Sequence, residues 1–94
     1  MGGVGKLTIS EYQEKVEAVR EGRLLSYNLL KCTEELGEVI QAVLKRKTTV
    51  AEELGDLLFC VFCVISDLGL EADSLLEESI NKVEVRILNK RRLT

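Results

Sequence analysis

The sequence has no histidine, no proline and no tryptophan, and only two tyrosines and two phenylalanines among its 94 residues. Without histidine it lacks the commonest general base near neutral pH and the commonest metal ligand. Any chemistry must come from carboxylates, Lys, Arg, Ser, Thr, Tyr or Cys. The absence of proline and the abundance of Leu, Val, Glu and Lys indicate an all-α protein. The formal charge of −3 speaks against a nucleic-acid binder, which would present a clustered basic surface. The longest apolar run, "LLFCVFCVI" at residues 57–65, falls well short of the roughly 20 residues a membrane-spanning helix needs. The N-terminus carries no signal-peptide core. A cytoplasmic protein without a membrane partner is expected.

Three cysteines, Cys32, Cys60 and Cys63, make no disulfide framework. Cys60 and Cys63 have the C-x-x-C spacing, but they lie inside the apolar run, with no second pair and no histidine to complete a zinc site. They read as small buried apolar residues. "GGVGK" at residues 2–6 resembles the end of a phosphate-binding loop. It lacks the earlier glycine, the Ser or Thr after the Lys and a preceding strand. Residues 1–7 therefore read as a flexible leader, and residues 8–94 as a single helical domain.

Four helices are expected from start signals and apolar spacing. Thr8 with Glu11 forms a capping-box pattern that opens the first, which runs through about Arg20 and closes near Gly22. Ser26 is a candidate cap for the second, which ends in the basic "LKRK" of residues 44–47. Thr49 with Glu52 repeats the capping box for the third, which closes near Gly69. Ser74 with Glu77 opens the fourth. Short connections imply a small four-helix bundle-like subunit. From Leu57 onward the third helix is apolar on every side and must be covered on every side. So short a chain is expected to do this by pairing with a second copy, as a dimer or a dimer of dimers.

Two acidic stretches repeat. "EELGE" at residues 34–38 and "EELGD" at residues 52–56 each place two acids three apart, Glu35 with Glu38 and Glu53 with Asp56, on one helical face. On antiparallel helices these four carboxylates can converge. Bare anions meeting in a partly buried place repel and are poorly solvated, so a cation is expected among them. Oxygen ligands alone favour a hard ion, Mg²⁺ or Mn²⁺. Gly37 and Gly55, inside the motifs, each cost about 1 kcal/mol relative to Ala in a helix, which suggests close approach of another helix or a ligand.

The pattern E-E-x-x-E, a helix-to-helix gap, then E-x-x-D resembles the MazG-type all-α nucleoside triphosphate pyrophosphohydrolases. The similarity runs from "LTISEYQ" near the start to "NKVEVR" in the last helix. It implies cleavage of the α,β bond of a nucleoside triphosphate to a monophosphate and pyrophosphate. It also implies that Glu35, Glu38, Glu53 and Asp56 hold Mg²⁺. Glu34 completes the double Glu and is assigned to positioning or deprotonating water; its alternative is a solvated residue on the neighbouring face. Family members often carry Lys, Asn and Arg in the last helix that meet substrate, and this helix offers Asn81, Lys82, Arg86 and Asn89, in a blurred register because Arg86 falls where an Asn is expected; ion pairing with nearby glutamates is the alternative. Tyr12, Gln13, Tyr27 and Phe59 are the candidates for a nucleobase pocket, with packing as the alternative. Short members of the family resemble house-cleaning enzymes that remove noncanonical or surplus deoxynucleotides, and the resemblance implies that role here without specifying the base. The competing functions are a phosphoribosyl-ATP pyrophosphohydrolase-like enzyme and a non-catalytic helical dimerisation module. A di-iron bundle, which needs Glu-x-x-His pairs, is excluded by the missing histidine.

Overall fold

The computed structural model describes residues 5–20 and 22–93 and contains, among them, four α-helices and no strand. They are α1 Ile9–Val19, α2 Leu25–Leu44, α3 Val50–Asp67 and α4 Ala72–Leu93. The all-α expectation holds. Residues 1–4, most of the expected leader, lie outside the described residues.

The expected capping box on α1 forms. Thr8 Oγ1 accepts from the Glu11 N–H at 3.1 Å, and Glu11 Oε1 accepts from the Thr8 N–H at 2.8 Å. The bond from the Thr8 N–H, foremost, holds the Glu11 carboxyl below its ordinary pKa. The chain leaves α1 through Gly22 at φ +86°, and α3 through Gly69 at φ +72°. Both backbones suit glycine.

The other starts differ from expectation, and tertiary contacts explain two of them. Helix α2 begins at Leu25 with Leu24 as an uncapped N-cap, so Ser26 already lies inside it. Its first turn is fixed instead by the buried Asn28, whose Nδ2 donates to Asp67 Oδ2 of α3 at 2.7 Å. Asp67 also pairs with Arg20 at the end of α1. Helix α4 begins at Ala72, two residues before Ser74, because its first N–H donates to the Gln13 Oε1 of α1 at 2.8 Å. Thr49 does precede α3, but its backbone (φ −91°, ψ 9°) is not extended and its side chain makes no capping bond. The "LKRK" run mostly follows α2 rather than closing it, with Arg46 at φ 53° in the turn.

Helices α2 and α3 form the most extensive packing, a helical hairpin; α1 lies on α3 and α4, and α4 touches only α1 and α3. The radius of gyration, 16.4 Å, well exceeds the about 12 Å of a compact chain this long. The arrangement is therefore an open bundle. Its buried apolar residues are small: Val16, Ala42, Cys60, Cys63 and Ala72. Large apolar side chains line outward stripes instead. These are Leu29, Leu36, Ile40 and Val43 on α2, Leu54, Leu58 and Val61 on α3, and Leu76, Ile80, Val83 and Ile87 on α4. A Cβ at Gly37 or Gly55 would meet nothing within 4 Å, so within one chain no helix makes the close approach inferred from these glycines. No helix among the described residues is long and apolar enough to cross a membrane.

Gln13 is the polar clasp of this arrangement. Its Nε2 donates to the Leu70 carbonyl at 2.8 Å and to Ser66 Oγ at 3.3 Å, while its Oε1 caps α4. Gln13→Ala leaves these buried groups unpaired and is expected to lose about 2 kcal/mol of stability. Urea unfolding at fixed protein concentration measures this, and an unchanged midpoint would contradict it.

Candidate metal centre

One turn of α2 carries the site. Glu38 is three residues from Glu35 and four from Glu34, so helical geometry makes it a neighbour of both. One carboxylate oxygen of each of the three lies within 4.8 Å of the others, the one such acid group among the described residues. Glu34 and Glu38 are exposed, whereas Glu35 is only 7 % exposed. Glu35 Oε1 is 3.3 Å from the Lys31 ammonium, and Lys31 also pairs with Glu34. Those two bonds, the one to Glu34 foremost, raise the Lys31 pKa. Glu35 Oε2 is buried and has no hydrogen-bond partner. An ionised oxygen without a partner in such a place is costly. Lys31 pairs with two of the three carboxylates, so the group holds more acids than the one ammonium salt-bridged to it.

Helix α3 closes the cleft beside this group. Glu53, half-buried, lines it with Glu34 and Glu38, in a hollow of about 550 Å³ that also takes in Gln41, Lys45, Lys47 and Thr49. Asp56 is exposed and stands outside the three-carboxylate group. Of the four expected metal ligands the chain thus gathers Glu35 with Glu38, and brings Glu53 to the same cleft as Glu38. Glu34, expected beside the metal ligands as the residue handling water, is itself a member of the acid group. Lys45 and Lys47, expected only to end α2, line this cleft as well. The missed signal was their place in the turn that joins the two acidic helices.

The substrate-binding candidates lie elsewhere in the chain. Asn81, Lys82 and Arg86 line an exposed hollow made by α4 alone, and α4 does not pack on α2. Among the nucleobase candidates, Tyr12 meets Phe62 edge to face at 4.8 Å, and Gln13 is committed to its three bonds. Tyr27 and Phe59 instead flank the Arg23 guanidinium, at 4.8 and 5.4 Å from their ring centres. The cysteines are unpaired, Cys60 and Cys63 are buried, and burial raises the Cys63 thiol pKa. That suits packing rather than thiolate chemistry.

No curated protein and no solved structure gives a significant match to this chain. A model of the MazG nucleotide pyrophosphohydrolase domain does match, over residues 24–89. That span holds α2 with its acid group, α3 with Glu53 and Asp56, and most of α4; α1 falls outside it. The match covers well over half the sequence, and the chain belongs to the MazG nucleotide pyrophosphohydrolase family.

Proposed function

We propose that the chain is a cytoplasmic, Mg²⁺-dependent nucleoside triphosphate pyrophosphohydrolase that removes noncanonical or surplus deoxynucleotides. The observation that carries this reading is Glu35 Oε2, buried, ionisable and without a partner, in a group with two further carboxylates. An all-oxygen donor set with surplus negative charge fits a hard divalent cation better than a soft one. Glu35 and Glu38 would hold it from α2, and Glu53 and Asp56 would approach from α3. When bound, the ion supplies charge neutralisation on phosphate oxygens and acidifies nearby water.

The chain's own residues supply the rest. Glu34, exposed at the cleft mouth, orients water and takes its proton as oxygen bonds to phosphorus and the α,β anhydride breaks. Pyrophosphate leaves with the released electron pair. Asn81, Lys82 and Arg86 do not reach this cleft within one chain, so we assign their phosphate contacts to an assembled oligomer. The outward apolar stripes of α2, α3 and α4 support a homodimer or homotetramer in which a second copy covers them.

Two experiments test this. Pyrophosphate release is measured across canonical and modified nucleoside triphosphates and phosphoribosyl-ATP, with Mg²⁺ and with EDTA. Mg²⁺-dependent release from a deoxynucleotide, falling to background in Glu38→Ala and Asp56→Ala proteins that remain folded, is the expected result. Release only from phosphoribosyl-ATP would transfer the activity to that substrate, and a fully active Asp56→Ala protein would remove Asp56 from the site. Sedimentation at micromolar concentration is expected to give a dimer or tetramer; a monomer would contradict the assembly.

A further inference from the structure

Lys31 forms ion pairs with two members of the acid group, Glu34 and Glu35. Its ammonium bridges Glu34 Oε1 and Glu35 Oε1, the latter at 3.3 Å, while Glu35 Oε2 stays buried and unpartnered. The ammonium therefore occupies one side of the place a cation would take and leaves the other side unsatisfied. It neutralises one charge of three. A long side chain with 29 % of its surface exposed can leave without disturbing the helix, whose register holds the acids in place.

We propose that Lys31 is the resident counter-ion of this acid group, which yields Glu35 to an incoming divalent cation, frees Glu34 for its part with water, and then binds the phosphates of the substrate. This rests on the divalent-metal reading of the cleft. In the metal-free protein Lys31 holds mutually repelling carboxylates together, so the ligands are gathered beforehand. A divalent ion brings twice the charge and satisfies Glu35 Oε2, which the ammonium does not reach. Once displaced, the ammonium is repelled by the ion but attracted by the triphosphate that arrives with or after it. Its root lies one helical turn before Glu34 and Glu35, at the edge of the same site. Metal loading and substrate binding are thereby coupled through one side chain, each favouring the other.

The test uses full-length wild-type protein, Lys31→Met and Lys31→Arg. Mn²⁺ binding is followed by electron paramagnetic resonance without nucleotide. Binding of an uncleavable α,β-methylene nucleoside triphosphate is then measured by calorimetry at saturating Mn²⁺. Lys31→Met is expected to bind Mn²⁺ about tenfold more tightly, the scale of removing one competing unit charge near a surface. It should bind the analogue about tenfold more weakly, through loss of one charge-assisted contact. Lys31→Arg, which keeps the charge, should stay close to wild type in both and guards against a folding defect in the Met variant. Unchanged or weaker Mn²⁺ binding by Lys31→Met, with wild type binding normally, would overturn the inference alone. Failure of wild type to bind Mn²⁺ at all would overturn the metal reading as well.

Discussion

The mutual repulsion of Glu34, Glu35 and Glu38 is the constraint around which this small protein is organised. Helix α2 gathers the three carboxylates within 4.8 Å, and one of them is buried. Such an arrangement is unfavourable unless positive charge accompanies it. Lys31 meets part of the need from within the chain. The remainder, concentrated on an unpartnered Glu35 oxygen, distinguishes this group from the solvated acids found on most helix surfaces. Glu53 adds a further carboxylate from α3 across the cleft, so the α2–α3 hairpin is both the best-packed part of the fold and the frame of the site.

The rest of the chain steadies that frame lightly. Helix α1 is tied down by the Gln13 clasp and by the Arg20–Asp67 pair, both polar, while the fully buried side chains are no larger than Val16, Asn28 and Cys63. A single core this meagre contributes little hydrophobic stabilisation. Apolar stripes on three helices face outward, and the proposed assembly would convert that exposed area into core while bringing the α4 cations of one copy towards the acids of another. Stability and activity would then depend on the same association.

The helices were legible in the sequence because each depends on local pattern. Apolar residues at helical spacing, the box of Thr8 and Glu11, and the glycines at 22 and 69 all act within a turn or two. Starts that depend on distant residues were misread. Ala72 is capped by Gln13, fifty-nine positions away, and Asn28 is fixed by Asp67. Neither partner is visible to a local rule. The same distinction holds in the site. The α2 acids were legible because three and four residues make one helical turn, and Lys31 was overlooked although it obeys the same spacing. Asp56 depends on how α3 is rotated against α2, which spacing within α3 does not specify. Family membership followed from the two acid motifs, and the domain match over residues 24–89 agrees with it.

The most direct test of the central claim is to soak crystals with Mn²⁺ and locate the ion by anomalous scattering. The expected result is a peak against Glu35 and Glu38 of α2, with Glu53 and Asp56 closing on it from α3 and the Lys31 ammonium withdrawn. Manganese bound elsewhere, with Glu35 Oε2 still without a ligand, would contradict the assignment of this cleft as a metal centre.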